Sequence, residues 1–464
     1  MSHKGYKSIN PATGELNEEF DLHTHAEVEQ ILAEAQTAYE KWRALPIEDR
    51  APVVAKIAEL LSERADDLAV LVSQDMGKST REAKGEILYS SSIFKYYATE
   101  GPALAADQPI KDVSGAEAMI QKRPIGVLLG IMPWNFPVYQ VARFAAPNFM
   151  LGNTIVLKHA ESCPRVALAL VQLFADAGLP TGVYNNVFAD HDQIAEIIAD
   201  KRVQGVSLTG SERAGAAVAE TAGKNLKKVV LELGGSDPYV VLKSDDVAAS
   251  AKAAFRTRLA NTGQTCTSNK RMIVMSEIYD DFVAELKNLT GTVAPGDPTN
   301  PQRGEYYPLS SEEAAQRLKK QVDTAVSQGA VLEAGGNRVD RPGAWLEPTI
   351  LTGITPEMDA YKEELFGPVM MVYKVDSEEE ALALANDTDF GLGASVYSTD
   401  EEQARAFAEK IQAGMVAINA SNPSGAELPF GGIKRSGFGR ELGPLGMDEF
   451  VNKRLYYVKD TDAK

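Results

Sequence analysis

The sequence predicts an α/β protein with a doubly wound, mostly parallel sheet and a second α/β domain. From Gly126 onward, short apolar runs alternate with longer amphipathic stretches. This alternation is typical of a parallel sheet covered by helices on both faces. A second alternating series follows Leu233 and continues to about Leu428, which indicates the second domain. Ligands of doubly wound sheets bind beyond the carboxyl ends of the strands, so the residues at those ends are the candidates for function.

The elements of the first domain follow from the spacing of apolar residues. Five short apolar runs are predicted as strands: 126–131, 154–157, 183–188, 203–208 and 228–231. Helices are predicted between them at about 164–177, 190–200 and 212–224. Nearer the start of the chain, Thr24 and Glu27 form a capping-box pattern before an amphipathic helix. A second helix is predicted there from about Arg50 to Met76, ending at Gly77.

Size, charge and cysteine content limit the class of protein. The chain has 464 residues, more than one ordinary core holds, so we expect two or three domains. Its formal net charge of −18 argues against a nucleic-acid partner, because an acidic surface repels polyphosphate. Cys163 and Cys266 are the two cysteines, so we expect no disulfide framework and a reducing cytoplasm. We see no signal-peptide pattern and no apolar run long enough for a bilayer, so no membrane association is expected.

Polar residues at two strand ends are candidates for binding or catalysis. Asn135 lies in the turn Met132–Pro137, which two prolines make rigid. A rigid amide there can donate to a developing oxyanion, although an ordinary loop asparagine fits the residue alone equally well. Lys158 and Glu161 follow the next strand, where they can hydrogen-bond ribose hydroxyls. Taken alone, these two side chains are more simply explained as a solvated pair.

A third candidate follows the strand at 203–208. Gly210 and Gly215 allow close approach of a ligand to the backbone, and Ser211 precedes a predicted helix whose N-terminus favours phosphate. This spacing is not the three-glycine dinucleotide fingerprint, so the signal is weak on its own.

Glu232 and Cys266 are the strongest candidates for chemistry. Glu232 ends an apolar strand directly before two glycines, where partial loss of water raises a carboxyl pKa towards that of a general base. The alternative is a structural glutamate bonded to backbone amides. Cys266 follows Asn261–Thr265, a run of small and polar residues suited to an exposed nucleophile. Cys163, between Ser162 and Pro164, has no comparable surroundings and is predicted to be structural.

Two late motifs complete the pattern and lead to a family resemblance. Glu363–Val369 places a carboxylate and an aromatic ring beside a turn, and Pro429–Glu441 is a glycine-rich loop with basic residues. Together with the motifs above, they make the sequence resemble the aldehyde dehydrogenase superfamily from end to end. The motifs that carry this resemblance are Pro133–Pro137, Leu231–Gly235, Gly263–Cys266, Glu364–Pro368 and Pro429–Gly432. Lys158–His159 and Leu233–Pro238 are most similar to the short bacterial succinate-semialdehyde dehydrogenases.

The resemblance implies three structural parts. These are a dinucleotide-binding domain at 1–107 and 126–233, a catalytic domain at 234–428, and a small β extension at 108–125 and 444–464 used for oligomerisation. A homodimer or homotetramer is therefore expected. The segment from about Pro109 to Lys122 is expected to pair with Leu455–Val458, because both have strand-like apolar character.

The resemblance also implies roles for individual residues. Cys266 matches the nucleophile, Asn135 the oxyanion donor and Glu232 the base that activates water. The matching cofactor contacts are Trp134, Lys158, Glu161, Gly210, Ser211, Gly215, Leu233, Glu364 and Phe366. NAD is the expected cofactor, with NADP possible, because the Glu161 carboxylate would repel a 2′-phosphate and Lys158 would soften that repulsion. No metal ligand is predicted.

The substrate expectation rests on Arg143. By resemblance, its guanidinium would clamp the distal carboxylate of succinate semialdehyde, with Ser424 as a second contact. A surface or subunit-contact arginine is the alternative. Some succinate-semialdehyde dehydrogenases have an arginine where this chain has Ala260, so other small aliphatic or aromatic aldehydes stay open as substrates. Glu232 argues against a coenzyme-A-acylating enzyme, which needs no water-activating base, and the three candidate catalytic residues argue against a non-catalytic protein of this fold.

Overall fold

The computed structural model describes residues 5–421 and 423–459. Its strands are β1 (Gly5–Ile9), β2 (Leu16–Asp21), β3 (Gln108–Pro109), β4 (Ala116–Pro124), β5 (Val127–Ile131), β6 (Thr154–Lys158), β7 (Tyr184–Asn186), β8 (Val203–Thr209), β9 (Lys228–Glu232), β10 (Pro238–Val241), β11 (Arg271–Met275), β12 (Ala294–Pro295), β13 (Glu305–Tyr306), β14 (Val331–Ala334), β15 (Thr349–Thr352), β16 (Val369–Val375), β17 (Gly393–Tyr397), β18 (Met415–Ile418), β19 (Gly437–Phe438) and β20 (Val451–Lys459).

The α-helices cover both faces of the two largest sheets. They are α1 (His25–Trp42), α2 (Ile47–Glu63), α3 (Ala65–Met76), α4 (Thr80–Leu104), α5 (Tyr139–Leu151), α6 (Pro164–Asp176), α7 (His191–Ala199), α8 (Glu212–Lys224), α9 (Val247–Leu259), α10 (Ser276–Thr290), α11 (Glu312–Ser327), α12 (Asp359–Lys362), α13 (Glu378–Asn386), α14 (Glu401–Ala408) and α15 (Gly443–Gly446).

The first sheet confirms the predicted doubly wound arrangement. Its strands lie in the order β19-β9-β8-β5-β6-β7, and all neighbouring pairs are parallel except β19 with β9. The five predicted strands all lie in this sheet. The added strand β19 comes from the late glycine-rich segment, which returns to pair with β9, so that Gly437 lies opposite Glu232.

The single helix predicted from about Arg50 to Met76 is wrong, because the structure divides it into α2 and α3. Arg64 leaves helical geometry, with φ −101° and ψ 15°. The break allows both segments to bury their apolar residues, such as Leu61 and Leu68, in the same core as α4. The predicted end at Gly77 is confirmed, since this residue closes α3 in the left-handed conformation with φ 85°.

The second α/β unit contains a seven-stranded sheet in the order β14-β15-β16-β11-β10-β17-β18. It is parallel except for the edge pair of β14 and β15. Its five inner strands are apolar and largely buried, as expected for a sheet covered on both faces, whereas the edge strands β14 and β18 are partly exposed.

A third, antiparallel sheet has the order β20-β4-β3. Leu455 lies opposite Ile120 and Val458 opposite Glu117, so the two segments expected to pair do so within the chain. The apolar residues of β20 are largely exposed, and Leu455 is 63% exposed. Among the described residues, no helix is long and apolar enough to cross a bilayer.

Candidate active site

The candidate nucleophile lies on a tight loop between α9 and β11. The loop opens with a 3₁₀ turn at Ala260–Gly263, in which Asn261 and Thr262 have positive φ angles of 50° and 55°. Gly263 has φ 73°, and a Cβ there would lie 2.1 Å from the carbonyl oxygen of Gly367. Only glycine fits this close backbone approach, which explains its place in the segment before Cys266.

Cys266 lies where two cavities meet. One cavity has a volume of about 390 Å³ and is lined by residues of α4 and α5, the Cys266 loop and the segment around Ser424. The other has a volume of about 500 Å³ and lies at the carboxyl ends of β5, β8 and β9. Cys266 and Gln140 line both. A molecule in either cavity can therefore lie beside the same cysteine.

Asn135 is held beside the Cys266 loop by four hydrogen bonds. Its side-chain Nδ2 donates to the carbonyl of Gln264 at 3.0 Å, and its Oδ1 accepts from Nε2 of Gln140 at 2.9 Å. Its backbone carbonyl accepts from Lys78 Nζ at 2.8 Å and from Asn261 Nδ2 at 2.9 Å. These bonds fix the orientation of the amide, with one Nδ2 hydrogen left over for a ligand.

Burial raises the pKa of the Cys266 thiol to about 11. The positive charges of Lys270 and Arg143 oppose this rise, and the negative charges of Asp237 and Glu364 add to it. The resting side chain is therefore a neutral thiol at pH 7, and it must lose a proton before or during attack. Cys163, in contrast, is fully buried in the core, as its surroundings in the sequence predict.

Glu232 ends β9 with a side chain that is almost fully buried. Neither carboxyl oxygen has a hydrogen-bond partner among the described residues, and burial raises its pKa well above the usual value. Glu232 does not line either cavity as placed. It faces Gly431, where a Cβ would lie 2.7 Å from Glu232 Oε1. The alternative of a glutamate bonded to backbone amides does not fit these surroundings.

Most predicted cofactor contacts come together around the 500 Å³ cavity. Its lining includes Trp134, Gly210, Ser211, Leu233, Glu364 and Phe366. The rings of Trp134 and Phe366 meet edge to face, with 5.8 Å between centroids. Ser211 caps α8, and its hydroxyl accepts from the backbone NH of Ala214 at 3.3 Å. The helix N-terminus therefore opens towards this cavity and can receive an anion.

Three predicted cofactor residues do not line this cavity. Gly215 packs beneath Leu233, where a Cβ would lie 2.7 Å from Leu233 Cδ2, so its observed role is close packing of α8 on the sheet. Lys158 and Glu161 lie farther along the sheet edge, with Lys158 Nζ 3.3 Å from Glu161 Oε1. Glu161 is largely exposed, whereas burial lowers the pKa of Lys158.

The two predicted substrate contacts, Arg143 and Ser424, both line the 390 Å³ cavity. Arg143 is buried and forms an ion pair with Glu441. Its NH2 also donates to Thr209 Oγ1 at 3.1 Å, and its guanidinium stacks over Phe430 at 4.3 Å. Arg143 is therefore neither a surface residue nor a free cation.

Sequence reasoning missed several residues that shape the site. Gln140 orients Asn135 from the first turn of α5, and Lys270 donates to the carbonyls of Thr265 and Cys266 at 2.9 Å and 2.7 Å. The position of Lys270 four residues after Cys266 was the available signal, but its complete burial is not visible in the sequence. In the part of the chain that the structure describes, no group of three or more His, Cys, Asp or Glu side chains is placed to hold a metal.

A doubly wound sheet with a cysteine between two cavities is the architecture of a dinucleotide-dependent oxidoreductase. The chain belongs to the aldehyde dehydrogenase family, which matches residues 1–455 and confirms the resemblance seen in the sequence. It is 50% identical to succinate-semialdehyde dehydrogenase [NADP(+)] of Deinococcus radiodurans, over 99% of this chain and 96% of that one. A similar enzyme of Mycobacterium tuberculosis is 42% identical over 97% and 99% of the two chains.

A solved structure gives the same result. Succinic semialdehyde dehydrogenase of Streptococcus pyogenes, in complex with NADP+, superposes with a TM-score of 0.95 at 43% identity. The match covers 98% of this chain and 100% of that one. The likeness therefore extends over nearly the whole fold.

Proposed function

We propose that this chain oxidises succinate semialdehyde to succinate with a nicotinamide dinucleotide, using Cys266 as a covalent nucleophile. The observation that carries the proposal is that Cys266 lines both cavities, so one ligand can approach its sulfur from each side. The names of the relatives support the choice of aldehyde.

The first step is attack of Cys266 sulfur on the aldehyde carbon, which forms a C–S bond and a negative oxygen. With a thiol pKa of about 11, about one thiol in ten thousand is ionised at pH 7, so a proton acceptor favours attack. The thiol proton passes to solvent water in this step, which leaves the Glu232 carboxylate to act in the later hydrolysis. Asn135 Nδ2 would donate to the new oxygen, since its orientation is already fixed.

The 500 Å³ cavity offers contacts for the nicotinamide and phosphate parts of a dinucleotide. Its aromatic pair, Trp134 and Phe366, offers an apolar wall beside Cys266, and the start of α8 offers backbone NH groups for phosphate. The Glu364 carboxylate lies on the same wall and can accept from ribose hydroxyls. When bound there, the nicotinamide supplies the acceptor for the hydride that leaves the carbon attached to sulfur.

Hydrolysis of the resulting thioester requires an activated water. Glu232 is our candidate base, a role that requires its side chain to turn from Gly431 towards Cys266. Water then adds to the acyl carbon, the C–S bond breaks, and the carboxylic acid leaves.

We propose that NADP is accepted as well as NAD. Lys158 can pair with a 2′-phosphate, and Glu161 can turn away from it, because the Glu161 side chain is 57% exposed. The Glu161 carboxylate nevertheless limits NADP affinity. The cofactor named for the relatives supports NADP use.

We propose Arg143 as the group that recognises the distal carboxylate. Among the residues that the structure describes around the 390 Å³ cavity, it is the one cationic side chain. The ion pair with Glu441 leaves part of the Arg143 guanidinium free to bind a ligand, but the Glu441 carboxylate offsets much of the positive charge of Arg143. The hydroxyls of Tyr89 and Ser424 line the same cavity and can add hydrogen bonds.

A panel of aldehydes with and without a terminal carboxylate, each assayed with NAD and NADP, tests this function. We expect oxidation with both cofactors and a higher kcat/KM for succinate semialdehyde than for butanal. Addition of coenzyme A should not accelerate turnover. Acceleration by coenzyme A would indicate an acylating enzyme, and a preference for butanal would support the alternative of neutral aliphatic substrates.

A further inference from the structure

Lys270 is a fully buried lysine beneath the nucleophile. It lies immediately before β11, and its ammonium donates to the carbonyls of Thr265 and Cys266. The same ammonium forms an ion pair with Glu364 Oε1 at 3.1 Å. One side chain therefore contacts both the backbone of the nucleophile and a carboxylate on the wall of the 500 Å³ cavity.

The paired glycines after β9 make room for this arrangement. A Cβ on Gly234 would lie 2.4 Å from Glu364 Oε2, and a Cβ on Gly235 would lie 2.7 Å from the Cys266 carbonyl oxygen. The backbone NH of Gly235 donates to Glu364 Oε1 at 3.2 Å. The carboxylate and the nucleophile's carbonyl therefore both rest against the end of β9, with Lys270 joining them.

The Lys270 ammonium is removed from water, whereas the Glu364 side chain on the cavity wall is 20% exposed. A buried ammonium costs several kcal/mol unless it is paired and hydrogen-bonded, and two carbonyls with one carboxylate satisfy all three Lys270 donors. No donor of Lys270 is left for a substrate, so direct participation in the reaction does not fit this geometry.

We propose that Lys270 is a positioning residue that links the Cys266 loop to Glu364. A change of charge at Lys270 or at Glu364 then changes the electrostatic potential at the Cys266 sulfur. This inference rests on the proposed role of Cys266 as nucleophile. It predicts opposite effects for two neutral substitutions. Lys270→Met removes the positive charge beneath the sulfur and makes the thiol harder to ionise. Glu364→Gln removes the negative charge that offsets Lys270 and makes the thiol easier to ionise.

Several other groups also face the thiol. Arg143 and Tyr139 approach it from α5, and Asp237 approaches it from the start of β10. Burial raises the pKa of Asp237 to about 7, so its titration would distort a profile taken near neutral pH. The rate of Cys266 alkylation should therefore be measured between about pH 8.5 and 9.5. In this range Asp237 is ionised and the alkylation rate is still proportional to the thiolate fraction.

The test is the rate of alkylation of the free protein by iodoacetamide, without aldehyde or dinucleotide. We expect Lys270→Met to react about tenfold more slowly than the unmodified chain, which corresponds to about one pKa unit, and Glu364→Gln about threefold faster. Cys266→Ala gives the background from the buried Cys163. Lys287→Met, which removes an exposed lysine paired with Glu333, is the matched control and should react at the unmodified rate.

The two variants keep the inference open to refutation. If Lys270→Met does not fold, Glu364→Gln alone tests the inference. An unchanged or slower alkylation rate in Glu364→Gln overturns it. Slower reaction in both variants would mean that Lys270 and Glu364 only support the loop. Failure of the proposed function would look different, because aldehyde oxidation would be absent while the opposite shifts in alkylation persisted.

Discussion

The buried pair of Arg143 and Glu441 allows a direct test of substrate recognition. Arg143→Met alone would leave Glu441 uncompensated in a buried site, at a cost of about 3–5 kcal/mol in the free energy of unfolding. A loss of activity in that variant would therefore reflect lost stability and would not measure recognition of the substrate carboxylate. The informative variant is Arg143→Met combined with Glu441→Gln, which removes both charges. A glutamine also keeps an acceptor for the hydroxyl of Ser207, which donates to Glu441 Oε1 at 3.2 Å.

The expected magnitude follows from the same pair. A hydrogen bond to a charged group contributes about 1.5–3 kcal/mol. Because Glu441 already offsets the charge of Arg143, we expect the lower end, which is about tenfold in the ratio of two kcat/KM values. The double variant should lose about this factor in the preference for succinate semialdehyde over butanal, an aldehyde of equal length. The midpoint temperature of thermal unfolding of the double variant should lie closer to the value of the unmodified chain than the midpoint of Arg143→Met does.

The ratio of the two substrates is the decisive quantity. Arg143 also lowers the pKa of Glu232 and of Cys266, so its removal slows every aldehyde to a similar extent. This common loss cancels in the ratio. An unchanged ratio in the folded double variant would refute Arg143 as the carboxylate contact and leave it as a structural cation.

Four further predictions concern other parts of the molecule. Cys266→Ala should abolish oxidation while dinucleotide binding, measured by titration, stays nearly unchanged; turnover above about a thousandth of the unmodified rate would contradict the assignment. Glu232→Gln should give a burst of about one reduced dinucleotide per site followed by slow turnover, and should remove the rise of kcat with pH expected from a base with a raised pKa; an unchanged steady state would place the base elsewhere. Glu161→Gln should raise kcat/KM with NADP relative to NAD by several-fold, as the repulsion of a phosphate is removed; equal effects on both cofactors would show that Glu161 does not face the 2′ position. Deleting residues 454–464 removes most of β20 and should give monomers or aggregates in sedimentation; a truncated chain that sediments like the full-length oligomer would disprove a role of this sheet in assembly.

The sequence predicts the first sheet well because its strands and helices differ in local spacing. The five strands and three intervening helices need only the periodicity of apolar residues, and most of their boundaries agree within about two residues. The helix break at Arg64 was not predictable in this way. The apolar spacing continues through Arg64, and the change of direction depends on packing against α4, which lies later in the chain.

The features of the site also differ in how well the local sequence predicts them. Cys266, Asn135 and Glu232 stand in distinctive local sequences, so their types and neighbours are enough to suggest chemistry. The surroundings of Glu232 are another matter, because Gly431 and β19 reach it from about 200 residues away. Sequence spacing gives no indication that this carboxyl group is shielded from both cavities.

The effective charge of Arg143 cannot be predicted from its local sequence. Arg143 lies on α5, eight residues after Asn135, and lines the 390 Å³ cavity. Its effective charge, however, is determined by Glu441, which comes from the glycine-rich segment nearly 300 residues later. A free guanidinium and a neutralised one differ several-fold in their expected preference for an anionic aldehyde, although both have the same local sequence. The strength of substrate recognition is therefore a property of the tertiary ion pair, and the double variant measures that property directly.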